Sequence, residues 1–187
     1  MYEIIENYIY LYHTGQYIVL PSFPDTINNS NQASFVPSTP MLRSAPIFSY
    51  SHSGPRTISI TLTLLRDMMS ELNYGVSNFN VEIGDDYVDT LIKQIEAIAL
   101  PKYASDTKMV DPPMVAVRFG NEIFIKGVIS GDVQVQFQKP IIVGDKYEQV
   151  SITFGVQEVT PYDATSIQRN GLMRGISTSL ERKIFKS

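Results

Sequence analysis

Between Thr57 and Leu65 polar residues alternate with apolar ones, Thr57, Ser59, Thr61 and Thr63 against Ile58, Ile60, Leu62 and Leu64. Successive side chains of an extended chain point to opposite faces, so this segment predicts a strand with one buried face. Two later segments carry the same period. Val133, Val135 and Phe137 alternate with Gln134, Gln136 and Gln138, and Val150, Ile152, Phe154 and Val156 alternate with Ser151, Thr153, Gly155 and Gln157 up to Pro161. These long two-sided strands are the strongest signal in the chain.

Shorter elements fill the intervals. Ile4 to Tyr12 and Tyr17 to Leu20 are apolar and aromatic, and the break at Thr14 and Gly15 predicts a hairpin. From Pro21 to Pro46 the composition turns to Pro, Ser, Asn and Thr. Its prolines oppose regular ladders, so a long connection is expected, either disordered or used for contact with a partner. Asp85 and Asp86 stand at a helix start, and Val88, Leu91, Ile92, Ile95 and Ala99 keep the spacing of one helical face until Pro101. Asp111, Pro112 and Pro113 force an extended approach to Met114–Phe119, and Gly120 and Asn121 turn the chain into Ile123–Ile129. Ser130, Gly131 and Asp132 permit a bulge or turn before the Val133 strand. The predicted order is strands, one helix, then four strands in a meander, without internal repeats.

Length and composition set the bounds. The 187 residues, 43% hydrophobic and 18% charged, suffice for one globular domain with a sizeable core. No Cys is present, which excludes disulfides and thiolate chemistry and fits a reducing cytosol. Met1, Tyr2, Glu3 and Ile4 do not open a signal peptide, and no apolar run approaches a membrane span. Residues 1–161 carry ten Lys or Arg against seventeen Asp or Glu, whereas 162–187 carry five against two. An acidic body repels nucleic-acid phosphate, which argues against sequence-reading DNA binding.

Candidate chemistry is sparse. His13 and His52, the only histidines, lack carboxylates at ligand spacing and read as structural or exposed residues. Asp85, Asp86 and Asp89 could hold a cation or form an acid/base pair, but their place in a first helical turn favours capping. Asp106, Lys108 and Asp111 have no histidine or nucleophile beside them and read as solvated charges. The Asn170 to Gly175 segment lacks the strand before and the Lys-Ser/Thr after that a phosphate loop requires. Tyr8, Tyr10, Tyr12 and Tyr17 could stack on sugars or bases, but no basic residues interleave with them, which favours core packing or a protein interface. No catalytic, cofactor-binding or metal-binding residue is assigned, and no enzymatic activity is expected.

The stretch from 41 to 161 resembles a known family. Leu100, Pro101, Lys102 and Tyr103 after an amphipathic helix, Asp111, Pro112 and Pro113 leading into Val115, Val117 and Phe119, and then Gly120, Ile125, Gly127, Val128 and Ile129 carry the likeness. Val133, Val135, Phe137, Pro140, Tyr147 and the strand from Val150 to Val159 extend it. Upstream, Met41, Ala45, Pro46 and Ile47, then Arg56, Ile58, Ile60, Leu62 and Asp67, also fit. The pattern is similar to baseplate proteins of tailed phages and related contractile injection systems. Some of these continue into a peptidoglycan-binding LysM module, for which the residues after 161 leave no room.

The resemblance implies a mainly β, α+β fold of tail-tube type: an antiparallel β-sandwich or barrel of two packed sheets with one flanking α-helix, over residues 1–161. It implies a homo-hexameric ring whose strands line a channel, in the baseplate of a virion assembled in the host cytoplasm. The expected role is a structural adaptor that joins the central hub to the tail tube or initiates tube polymerisation. The expected partners are the tail tube protein and baseplate hub proteins. The channel would allow non-specific passage of DNA, and no membrane is involved. A tail tube or tail terminator protein is the alternative, and a carbohydrate-binding β-sandwich using its tyrosines is the alternative of another class. Residues 162–187, with Arg169, Arg174, Arg182, Lys183 and Lys186, are expected to form a basic tail that docks on an acidic surface of a neighbour.

Overall fold

A computed structural model describes residues 7–20, 23–42, 44–70, 86–103, 110–111, 113–142, 144–160 and 163–170. The fold is mainly β with flanking helices, and every strand pair in it is antiparallel. Strands β1 (Asn7–Leu11) and β2 (Gln16–Val19) form the first hairpin, with Gly15 in its turn at φ 70°. Next come β3 (Thr26–Ser30), β4 (Ala33–Ser38), β5 (Ile47–Ser53) and β6 (Thr57–Leu65). Helices α1 (Arg66–Ser70) and α2 (Tyr87–Ala97) follow, then the short strands β7 (Lys102–Tyr103) and β8 (Val110–Asp111). Strand β9 (Met114–Phe119), the long hairpin of β10 (Ile123–Ile142) and β11 (Lys146–Glu158), and helix α3 (Ala164–Asn170) complete the order.

Seven of the strands form one sheet in the order β2-β1-β9-β10-β11-β6-β3, while β4-β5 and β7-β8 are separate two-stranded ladders. The hydrogen bonding thus differs from two packed sheets. Cross-strand partners share a face, and the partnership of Phe154 with Ile60 and of Ile152 with Leu62 puts the apolar halves of two alternating sequences together. Ile58, Ile60, Leu62 and Leu64 of β6 and Val150, Ile152, Phe154 and Val156 of β11 are all buried in one core. That core continues through β9, β1 and β2 and takes in Leu91, Ile92 and Ile95 of α2.

A flat array of the five strands from β1 to β6 is about 19 Å wide, and one helix covers about 10 Å. The burial of both Ile9 on β1 and Ile58 on β6 in the same core therefore calls for a sheet curled around α2. Strand β10 contains the devices for curvature. Its register against β11 shifts between Ser130 and Gln134 and again between Gln138 and Ile141, and Gly131 sits at φ 80°. Because the first shift inserts an even number of residues, Val135 still faces Ile152 and the apolar face is retained. Gly127 has a different constraint, since a Cβ there would lie 2.0 Å from the Gln157 carbonyl oxygen.

The Pro-rich interval contains more regular structure than its composition predicts. Residues 26–30 form an edge strand of the main sheet, and 33–38 pair with 47–53. Pro37 is tolerated because the β4-β5 ladder has free edges. The helix predicted from Asp85 and Asp86 runs from Tyr87 to Ala97 with Asp86 as its N-cap, and Asp85 lies outside the described residues. Two short helices, α1 and α3, join it; α3 occupies the start of the basic segment. The rest of that segment, residues 171–187, lies outside the described residues. No helix among the described residues is long and apolar enough to cross a membrane.

Phe154 is 1% exposed in the middle of this core. Phe154→Ala should destabilise the fold by about 3 to 5 kcal/mol, read as a lower denaturation midpoint at unchanged slope. An unshifted midpoint would place Phe154 on the outer face.

Candidate assembly surface

Two hairpins extend from opposite ends of the curled sheet. The β4-β5 hairpin leaves at the end where Thr57 pairs with Gln157. All seven residues of β5 and five of the six of β4 are exposed, so neither face of this arm rests on the body. Phe35 pairs with Tyr50 and Pro37 with Phe48, which places these four side chains on one face. The rings of Phe35 and Tyr50 meet edge to face, with centroids 5.7 Å apart. Phe35 is 53% exposed and Phe48 64%, and Met41 and Leu42 at the tip are fully exposed. Sequence composition adds that residues 26–55 contain one Lys or Arg, Arg43, and no Asp or Glu.

The root of the arm is tied to the body. Arg56, buried immediately before β6, donates from Nε to Asn29 Oδ1 at 2.9 Å and from Nη1 to the Phe124 carbonyl at 3.3 Å. Gly54 donates to the Gln32 carbonyl at 2.7 Å, and Glu158 donates from its amide to the Arg56 carbonyl at 2.8 Å. One guanidinium thereby joins β3, β10 and the base of β5. Beside it a cavity of about 630 Å³ opens between the arm's root, the end of β11 and Ala164 and Ile167 of α3.

At the other end the β10-β11 hairpin passes beyond β6, whose last pair is Leu65 with Gln149. Beyond that pair the hairpin carries Phe137, Ile141 and Tyr147, all more than a third exposed, with the Phe137 and Tyr147 rings 6.0 Å apart. A charge cluster fixes its base. Arg66 pairs with Asp86 and donates from Nη2 to Asp89 Oδ1 at 2.6 Å. Lys146 Nζ reaches Asp86 Oδ2 at 2.8 Å and Asp89 Oδ2 at 2.7 Å. Arg66 Nε also donates to the Tyr147 carbonyl at 2.7 Å. Asp86 meanwhile caps α2, accepting from the amides of Val88 at 3.0 Å and Asp89 at 3.3 Å.

Burial pushes the Asp86 carboxyl up, but the hydrogen bonds from Lys146 and the Asp89 amide and the charge of Arg66 outweigh it and hold the group below its ordinary value. Asp89 is likewise raised by burial and lowered further by Lys146 and Arg66. The two carboxylates raise Lys146 in return. The capping role expected of Asp86 is present, together with an ion-pair role that local spacing could not reveal.

Other residues considered for chemistry lie apart. His13 stands in the β1-β2 turn beside a cavity of about 210 Å³ shared with Lys93, Gln94 and Ala97, while His52 is exposed on the arm with Nδ1 3.1 Å from Ser51 Oγ. Among the described residues no three His, Cys, Asp or Glu side chains converge to hold a metal. Asp106 and Lys108 lie outside the described residues, and the backbone of Asp111 is part of β8. Tyr8 and Tyr10 are buried against Ala116 and Phe124 on the outer face of the sheet, with Tyr12 and Tyr17 packed at their side. This is the packing reading of the tyrosines, since the rings turn on one another at centroid distances of 4.7 to 5.9 Å. No family model matches the chain, and no curated protein matches it significantly.

The charge cluster makes stability depend on acid. Carboxyls held below their ordinary value of 3.8 contribute stability that is present above that value and lost as pH falls through the folded one. The raised Lys146 contributes below its ordinary 10.5, so the cluster is intact at neutral pH. Asp86→Asn with Asp89→Asn keeps an N-cap residue but leaves Arg66 without its counter-charges. With the carboxylates 27% and 36% exposed, the expected loss at pH 7 is about 1 to 2 kcal/mol. The gap to the parent chain should close as pH drops below 3.8. A gap that persists in acid would show that the pairing is not its source.

Proposed function

We propose that the chain is a structural subunit of a phage-tail baseplate, one of six in a ring that joins the central hub to the tail tube or starts tube polymerisation. The observation that carries this reading is the β4-β5 arm, a braced hairpin whose aromatic face and tip are covered by nothing among the described residues. A contiguous apolar patch of this kind is the mark of a surface built for a protein partner. The long two-sided strands support the same reading, because their second face can serve a lumen or a neighbouring subunit.

The mechanism is templating. Bracing of the arm by Arg56 lowers the ordering cost of docking, so association is favoured on a preformed surface over free subunits. The outer strands β2 and β3 end the main sheet with unpaired backbone groups among the described residues, a second route for subunits to join. Virion placement, hub contact and tube contact follow from this role, and residues 171–187 would add a basic docking segment.

Negative-stain imaging of the purified chain should show rings with a central channel, and adding the ring to the tail tube protein should shorten the lag before tubes form. Tubes formed by the chain alone would instead identify a tube protein. A chain that neither forms rings nor binds tube or hub proteins overturns the reading.

A further inference from the structure

The exposed aromatic surface at each end of the molecule needs a partner, and both needs can be met by one contact. We infer that the β4-β5 arm of one copy docks on the β10-β11 tip of a second copy, with Phe35, Phe48 and Tyr50 packing against Phe137, Ile141 and Tyr147. This inference rests on the ring reading above and names the surfaces that close the ring.

Area points to a protein partner. An aromatic side chain presents about 150 to 250 Å², so Phe35, Phe48 and Tyr50, each a little over half exposed, offer on the order of 350 Å², and the fully exposed Met41 and Leu42 bring the arm's apolar surface to roughly 600 Å². That lies at the upper end of the roughly 300 to 600 Å² of the largest patch on a typical monomer and supplies most of one partner's share of a standard interface, about 800 Å². A lone small ligand would leave most of it in water.

Position points to a second copy in a head-to-tail arrangement. The arm leaves the sheet next to Glu158, and the tip turns at Lys146, so the thirteen residues of β11 separate them. At about 3.3 Å per residue the two surfaces are roughly 40 Å apart and cannot meet within one chain. An arm-to-arm dimer would bury the arms and leave both tips open. An arm-to-tip contact buries both surfaces on every copy, and such a heterologous contact either closes into a ring or runs on as a filament.

Charge is compatible with this pairing. Strands β4 and β5 bring no Lys, Arg, Asp or Glu to the contact, so the docking desolvates none from these two strands. The tip's charged residues, Lys139, Asp145, Lys146 and Glu148, surround its apolar side in sequence and supply a polar rim. Lys146 is already held by Asp86 and Asp89, which keeps the tip in a fixed position for its partner.

The test uses two single substitutions in the full chain. Phe48→Glu removes the arm and keeps the tip, whereas Ile141→Glu removes the tip and keeps the arm. Both side chains are more than half exposed, so each variant should fold, as circular dichroism and thermal melting will show. Sedimentation should find the parent chain in complexes larger than a dimer and each variant monomeric, with its association weakened at least about thirtyfold. Mixed in equal amounts, the two variants retain one good arm and one good tip between them and should form a dimer that grows no further. Full assembly of Ile141→Glu would mean that the tip is not used, and it overturns the inference. Rings formed by Phe48→Glu overturn it while leaving the ring reading intact. A parent chain that is monomeric at every concentration yet still binds tube or hub protein also removes the arm-to-tip contact alone; failure of every association removes both.

Discussion

The structure depends on the register between β6 and β11. Nine consecutive residue pairs, from Thr57 with Gln157 to Leu65 with Gln149, hold together two strands whose buried and outward residues alternate. A slip of one residue would turn every Ile, Leu and Phe of one strand from the core to the opposite face, so the apolar pattern excludes every odd-numbered slip. The rest of the sheet is laid down from this pair. Strand β10 joins β11 on its other side, β9 joins β10, and the β1-β2 hairpin closes the row. Gly127 and Gly155 permit the close approach of β10 and β11, where a Cβ would come within 2.0 Å of the Gln157 oxygen or 2.8 Å of the Ser130 oxygen.

Helix α2 is positioned by two different forces. Its apolar face is held by the core, an interaction without strong direction that would tolerate sliding. Direction comes from its N-terminus, where Asp86 and Asp89 receive Arg66 from the end of β6 and Lys146 from the start of β11. The same carboxylate that caps the helix thus joins it to both strands of the central pair. Partial exposure keeps the desolvation cost of Lys146 and the two carboxylates low, while the buried Arg66 has its charge matched by both aspartates.

The arm follows the opposite rule. Its strands pair only with each other, and both of its faces lie outside the core. An isolated two-stranded hairpin is marginal in water. Here the arm is braced at the root by the Arg56 hydrogen bonds and along its length by contacts such as that of Phe35 with Tyr50. An exposed arm of this character extends the reach of the chain beyond its core at the cost of apolar exposure.

Local pattern alone determined the strands with a buried face and the amphipathic helix. In β6, β9, β11 and α2 the side chains that meet the core recur at the period of their own element, so neighbouring residues carry the whole signal. Acidic balance, the absence of Cys and the capping role of Asp86 were legible for the same reason. Tertiary structure decided what depends on residues distant in sequence. The arm and β3 escaped notice because a strand with no buried face has no alternation, and Pro, Ser and Asn then read as loop. Arg66 and Lys146 lie twenty and sixty residues from Asp86, and only the pairing of β6 with β11 and the packing of α2 against them bring their charges together. Packing also buries Tyr8 and Tyr10 against Ala116 and Phe124 and leaves Phe48 and Ile141 in water, although all four sit in similar aromatic or apolar surroundings in sequence. Burial is a property of what the folded chain places over a residue, and that is settled by packing.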